Sequence, residues 1–561
     1  MAVAPEDGLP RLGTASAGPP DPDPYPGPPG PGTAGLRLCP DPGLRSLDGG
    51  TVLLGGYPYR MLRLGPAGAR HVARWWTGEP VADSPGAQTL ARRLLETGMA
   101  QPVPSGGPGP DDVTVVIPVR DRTAELALCL RGLRAHRLAP RVLVVDDGSE
   151  DPDAVAAVAA DAGADCLHRP VNGGPAAARN TGLAAVGTPV VAFLDSDCVP
   201  APGWLDGLLP HFGDPVVAAV APRIVPYEPG GPTGQGQLAQ NRPALSWIAQ
   251  YEGVSSTLDM GAVSSIVRPG AKVSYVPGAA LMLRTAAARD AGGFAEHMAV
   301  GEDVDLVWRL ADRGWHIRYE AAATVAHQHR VRLGSWFVRR MDYGTSAAPL
   351  ERRHPGTLPA VTMSGWTAAA WAATAIGSAA GRPVLGPVAG AGITAAATAL
   401  LARRLAPVTG GQTWPVATRL AAGGTVAAGR LLGSALSRAW WPVALPAAVA
   451  VPRLRLPLAA LVLAPAMLGW AERRPPMDPV RYVGARLLDD MAYSLGVWQG
   501  CLRHRTARPL LPRLTWRAPA QKLKGTAAPA RSAVSSGGSR APAGRRSRPA
   551  PAGPGSRPGR R

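Results

Sequence analysis

Between residues 113 and 197 the chain alternates short β-branched apolar runs with stretches of helical spacing, and the runs that close on acidic residues fix its fold class. Val113–Val119 (VTVVIPV) is apolar throughout, as expected of a strand covered on both faces. Helical spacing follows over Ala124–His136. A second buried run, Arg141–Val145, ends in Asp146-Asp147-Gly148-Ser149. After a helical stretch over Asp151–Ala162, Asn172-Gly173-Gly174-Pro175 opens another helix to about Ala185. Val190–Leu194 is a third buried run and ends in Asp195-Ser196-Asp197. Strands alternating with helices predict an α/β domain on a parallel sheet. Ligands of such sheets gather beyond the carboxyl ends of the strands, where both acidic clusters fall.

Carboxylates at two strand ends would be costly if they simply packed in a core. Asp and Ser after a strand also shape turns, and for Asp147-Gly148-Ser149 the two readings stay level. For Asp195-Ser196-Asp197 the ligand reading leads, because residues two apart in extended chain point the same way. Paired carboxylates and a diphosphate suit Mg²⁺ or Mn²⁺ as a bridging ion. No GxxxxGK[ST] loop occurs and no GxGxxG follows the first strand, which disfavours an NTPase and a dinucleotide dehydrogenase. Further on, Gly301-Glu302-Asp303 opens a helical stretch over Val304–Arg313. Acids in a first turn also complement the helix dipole. A strand over His316–Tyr319 is followed by His327 and His329 around Gln328, a pair that invites a ligand role.

In order, VTVVIPVRDR, VVDDGS, NGGPAAARNTG, VAFLDSD, PGAALMLR, GGF and GEDVDLVWRLADRG resemble an inverting family 2 glycosyltransferase with the GT-A (nucleotide-diphospho-sugar transferase, Rossmann-like) fold. The likeness covers roughly 113–340. With LDGGTVLLGGYPYRMLRL, LARRLLETGMAQP and the Ala-rich C-terminal part, the whole chain is most similar to the mycofactocin-pathway branch of that family.

The resemblance implies the site residue by residue. Pro118 and Asp121 would line the nucleotide pocket, Asp147 would accept from the uracil ring, and Asp146 would support it. Arg179 would approach the nucleotide and Asp195 the ribose. Asp197 would hold the metal, Mg²⁺ or Mn²⁺, on the diphosphate of a UDP-sugar. Asp303 would be the catalytic base and His327 a further metal ligand, with His329 competing. The implied reaction adds β-1,4-linked glucose from UDP-glucose, or a related sugar nucleotide, to a small peptide-derived redox cofactor. The alternatives are a cell-wall or polysaccharide transferase using galactofuranosyl or rhamnosyl donors, and a non-catalytic sugar-nucleotide- or peptide-binding scaffold. The QxxRW motif of processive synthases is missing; only His327-Gln328-His329-Arg330, Trp336 and Arg339-Arg340 follow the base.

Around this core, residues 36–105 read as a small α+β module. Strand-like runs at Thr51–Gly55 and Arg60–Leu64 precede helical stretches at Ala67–Trp76 and Thr89–Thr97. That order weakly resembles the winged-helix-like modules that bind leader peptides, and a docking cap on the next domain is an equal expectation. Residues 112–345 form the GT-A domain and 360–510 an apolar helical region. From Arg352 to Ala471 there is no Asp or Glu. Apolar runs over Trp366–Ala380, Gly386–Ala402, Leu445–Val451 and Leu456–Trp470 predict membrane association, as spans or re-entrant helices on the cytoplasmic side. A soluble Ala-rich bundle is the competing expectation. Arg481–Leu502 reads as an amphipathic helix.

Residues 1–35, rich in Pro and Gly, and 520–561 are expected to be disordered. The last 41 residues hold ten basic side chains and no acidic one, within a net charge of +19. Without a zinc finger, a helix-turn-helix signature or an aromatic-rich basic groove, no nucleic-acid partner is expected. Five scattered cysteines argue against a disulfide framework and against a CxxC zinc site. The first residues carry no secretory pattern.

Overall fold

An all-apolar strand needs cover on both faces, and β1 (Val113–Val119) receives it. The computed structural model describes residues 32–135, 140–227, 246–328 and 332–515. After β1 come α1 (Thr123–Arg134), β2 (Arg141–Asp147), α2 (Pro152–Asp161), β3 (Asp165–Arg169), α3 (Pro175–Ala185) and β4 (Val190–Leu194). β1 lies parallel between β2 and β4, and β3 extends the sheet beyond β2. Val113, Val115 and Ile117 pack with Leu126, Leu130 and Leu133 of α1 on one face. Val116 packs with Ala176, Ala178 and Leu183 of α3 on the other. The approach of α3 to β1 requires Gly182: a Cβ there would sit 2.3 Å from a Val116 methyl.

The predicted parallel order holds for β4-β1-β2-β3 and fails beyond β4. The remaining elements are β5 (Cys198–Pro200), β6 (Val217–Pro226), α4 (Trp247–Ser255), β7 (Ser265–Val267), β8 (Ala280–Arg284), α5 (Glu302–Asp312) and β9 (His316–His327). β8 pairs antiparallel with β4, and β6 antiparallel with β8. The full order is β5-β9-β6-β8-β4-β1-β2-β3, with β7 on β9, so the sheet is mixed. Strand–helix alternation announces the crossovers at β1 to β4; β8 arrives only after β5, β6, α4 and β7 and runs back against β4, while β6 and β9 again pair parallel. β9 also outruns its predicted end at Tyr319. Its extension, through Ala321, Ala322 and Ala323, has low strand propensity, and its pairing with β6 shifts register at Pro222/Arg223.

The N-terminal module holds a three-stranded antiparallel meander (Arg45–Leu47, Val52–Gly55, Arg60–Arg63) and two helices (Pro66–Trp76, Pro85–Thr97). Arg37–Pro40 and Ala100–Val103 pair antiparallel and bring its ends together. It meets the sheet domain through buried polar contacts. Arg92 donates to both carboxylate oxygens of Asp214, at 3.0 and 3.1 Å, and Arg318 donates to Gln101 at 2.6 Å.

Beyond β9 come α6 (Leu333–Thr345), α7 (Leu385–Thr409), α8 (Thr413–Arg438), α9 (Arg455–Arg473) and α10 (Pro479–Arg503). Among the described residues, Leu385–Arg438 and Pro452–Arg473 are long and apolar enough to cross a membrane, and little of either is buried. Leu456 and Val388, for example, are 83% and 60% exposed. α10 lies against α6 at Gly344 and Gly496, where a Cβ on Gly496 would stand 1.9 Å from the Met341 carbonyl oxygen. The segments predicted to be disordered lie outside the described residues, apart from 32–35.

Candidate active site

The first acidic cluster divides between turn and cleft. Asp146 is fully buried. It accepts from the Ser149 amide at 3.1 Å and faces His168 Nδ1 at 2.7 Å, so it stands behind the cleft and braces the turn. Asp147 lines the cleft and accepts from the Gly173 amide at 3.0 Å and from Arg169. Asp121 adopts a left-handed φ of 56° after β1. Its amide donates to Ser149 Oγ at 2.9 Å and its carboxylate accepts from the Glu150 amide at 2.7 Å, tying the ends of β1 and β2 together.

The second cluster is positioned by strand pairing. Antiparallel register sets His327 of β9 opposite Cys198 of β5, and the Gln328 amide donates to the Asp197 carbonyl at 3.0 Å. His327 Nε2 therefore lies 3.4 Å from Asp197 Oδ1. Arg122 donates to the other Asp197 oxygen at 2.7 Å. Ligand atoms of Asp197, Cys198 and His327 all lie within 4.8 Å of one another. Burial pushes the Cys198 thiol well up, so it stays protonated at neutral pH and is a poor ligand. A carboxylate and an imidazole remain, a donor set that fits a divalent cation. His329 lies outside the described residues.

The third acid reaches the same cleft from α5. Asp303, half-buried, accepts from the Gly278 amide at 2.5 Å and from the Val304 amide at 2.7 Å. Beside it Arg179, 4% exposed, bridges Glu302 and Asp195, each at 2.7 Å. Burial and the neighbouring Asp303 charge push Glu302 up to about 7 against the pull of Arg179. Burial likewise raises Asp303, while the amides of Gly278 and Val304 and the Arg179 charge oppose the rise. An acid so placed takes a proton more readily than one in water.

Pro118, Asp121, Asp147, Arg179, Asp195, Asp197, Asp303 and His327 all line one cleft of about 840 Å³, so the clusters near 147, 197 and 303 converge. The same cleft contains residues that the sequence reading did not assign: Arg122, Glu302, and side chains of α4, α6 and α10. Arg122 and Glu302 stand beside assigned residues in VRDR and GED, a signal within reach. The contribution of α10 arrives from more than a hundred residues away and has no local signature.

Residues 114–263 match the glycosyl transferase family 2 profile, and 190–452 match glycosyl transferase family group 2. The chain is 42% identical to the pre-mycofactocin glycosyltransferase of Mycobacterium tuberculosis over 482 residues, which cover 84% of this chain and 97% of that protein. The chain belongs to glycosyltransferase family 2. It is an enzyme of the transferase class, and its mixed sheet is the GT-A catalytic domain of that family. An O-antigen chain rhamnosyltransferase of Salmonella typhimurium is 24% identical to this glycosyltransferase, over 41% of this chain and 71% of that one. A mannosyltransferase of Pyrobaculum calidifontis, solved with GDP-mannose and Mn²⁺, aligns with a TM-score of 0.33 at 18% identity, over 60% of this chain and 91% of that one.

Proposed function

We propose that this glycosyltransferase moves a hexose, glucose in β-1,4 linkage, from a UDP-sugar onto a small peptide-derived redox cofactor, pre-mycofactocin or mycofactocin, with inversion and with a divalent cation. The convergence of Asp147, Asp197 and Asp303 on one cleft carries the chemistry. The likeness to the mycobacterial pre-mycofactocin glycosyltransferase supports the acceptor.

Pro118, Asp121 and Asp147 hold the base end of the nucleotide. Asp195, anchored by Arg179, meets the ribose. Asp197 and His327 are the residues that would hold Mg²⁺ or Mn²⁺, which when bound supplies Lewis-acid stabilisation of the departing diphosphate. Arg122, 43% exposed on its side chain and paired with Asp197, would bring positive charge toward the phosphates. Asp303 takes the proton of the acceptor hydroxyl as its oxygen forms the new bond to the anomeric carbon. The bond from that carbon to the diphosphate oxygen breaks, and its electron pair leaves with UDP. One displacement inverts the centre, and no second carboxylate acts on the sugar.

The test is purified protein with Mn²⁺, pre-mycofactocin and a panel of UDP-glucose, UDP-galactofuranose and a rhamnose donor, read by mass spectrometry. A gain of one hexose from UDP-glucose is expected; transfer only from another donor overturns the sugar assignment. For the cation, Asp197→Ala is expected to weaken Mn²⁺ binding, followed by calorimetry in the presence of UDP, by at least about 10–100-fold. Unchanged Mn²⁺ affinity would remove Asp197 from the site.

The two apolar helices support a reading in which the enzyme associates with the cell membrane, its catalytic domain on the cytoplasmic face where sugar nucleotides are held. Washing membranes with high salt is expected to leave the protein in the pellet and detergent to release it. Release by salt alone would contradict embedded helices.

A further inference from the structure

The acids at the ends of β1, β2 and β4 occupy one half of the cleft. The other half has different walls: Glu252 of α4, Trp336, Arg340 and Tyr343 of α6, and Asp489 and Tyr493 of α10. Asp303 lies within electrostatic reach of both halves. Burial first, and then charges that include Asp303, push up the phenols of Tyr275 and Tyr343. If the donor fills the acidic half, an acceptor whose hydroxyl must reach Asp303 has only the aromatic half to occupy.

That half is braced by buried polar pairs. Trp336 Nε1 donates to Glu252 at 2.8 Å, and Tyr251 donates to Asp489 Oδ2 at 2.9 Å. The guanidinium of Arg438, at the end of α8, stacks 4.4 Å from the centroid of the Tyr493 ring. Arg340 Nε and Asp489 Oδ1 face each other at 3.1 Å, on side chains 4% and 2% exposed. Both residues border the cleft, so a charged pair stands on its wall.

We propose that α10, outside the sheet domain, supplies the acceptor-specificity wall of the enzyme: Tyr493, with Tyr343, packs on the ring of a ring-bearing alcohol or phenol, and the Arg340–Asp489 pair faces its polar end. This rests on the transferase reading above. Its consequence is that the helices following the catalytic domain take part in substrate choice as well as in membrane attachment.

The test uses the full chain with UDP-glucose, Mn²⁺ and pre-mycofactocin. Tyr493→Ala is expected to raise the acceptor KM about 3- to 10-fold, the range of one lost ring contact, with the KM for UDP-glucose unmoved. Tyr493→Phe, which keeps the ring, is expected to restore the acceptor KM. A UDP-induced thermal shift in each variant confirms that the protein is folded. An unchanged acceptor KM in Tyr493→Ala, or an equal rise in both KM values, overturns the proposal while wild-type transfer stands. Wild-type protein that transfers from no sugar nucleotide sinks the transferase reading and this one with it.

Discussion

Asp303→Asn is expected to lower kcat by about 10²–10⁴-fold, the usual worth of a positioned general base, while UDP still binds. The asparagine keeps the shape of the side chain and one oxygen to accept from the Gly278 or Val304 amide, so α5 still starts where it does. It has no basic lone pair of carboxylate strength, and the acceptor hydroxyl stays protonated in the transition state. A uniform-binding role would instead raise KM and spare kcat. Burial holds Glu302 near 7 and lifts Asp303 with it. Asp303 must be ionised to act as a base, so kcat of the wild type should fall as pH drops through its raised pKa. Single-turnover transfer measured from pH 5.5 to 8.5 checks both statements. A variant at wild-type rate would end the base assignment.

What could be read in advance follows from range along the chain. The strands at Val113–Val119, Arg141–Asp147 and Val190–Leu194 carry their own burial in their composition, and their acids stand within a few residues of them. The ordered motifs therefore point, through the family resemblance, to Asp147, Asp195 and Asp197, and GEDVDLVWRLADRG in the same way points to Asp303. The antiparallel partners β6 and β8 were not read as strands, because nothing local says which sheet edge a strand joins. Asp146 sits under the turn and not in the cleft, a distinction of one residue that strand register decides and composition does not. The Arg179–Glu302 bridge spans 123 positions and the Tyr251–Asp489 bond 238. Such pairs exist only once the sheet and α10 have closed around them.

The largest loss of stability is expected from Asp305→Ala, about 3–5 kcal/mol, the cost of breaking a buried ion cluster from one side. Asp305 is fully buried on the inner face of α5, two residues from Asp303. Its carboxylate meets Arg309 at 2.8 Å, Arg353 at 2.5 Å and His354 at 3.0 Å. Without it, three cationic groups face one another under the helix that carries Asp303. Burial alone would raise Asp305; the hydrogen bonds from His354 and Arg353 and the Arg309 charge hold it well below the usual carboxylate range. Burial alone would lower His354; hydrogen bonds to Asp305 and Asp312 hold it up at about 9. The two shifts bound a pH window. The Asp305 contribution is present above about 4 and lost as pH falls, because its native pKa is depressed. The His354 contribution is full below about 6.5 and lost as pH rises through about 9, because its native pKa is raised. Thermal unfolding in detergent should therefore show the wild type most stable between about pH 4 and 6.5, with Tm falling toward pH 9. In Asp305→Ala the alkaline fall should shrink along with the stability, since His354 then keeps only Asp312 of the two acids that hold its proton. A variant that melts with the wild type, or keeps the alkaline fall undiminished, would show that Asp305 does not anchor α5.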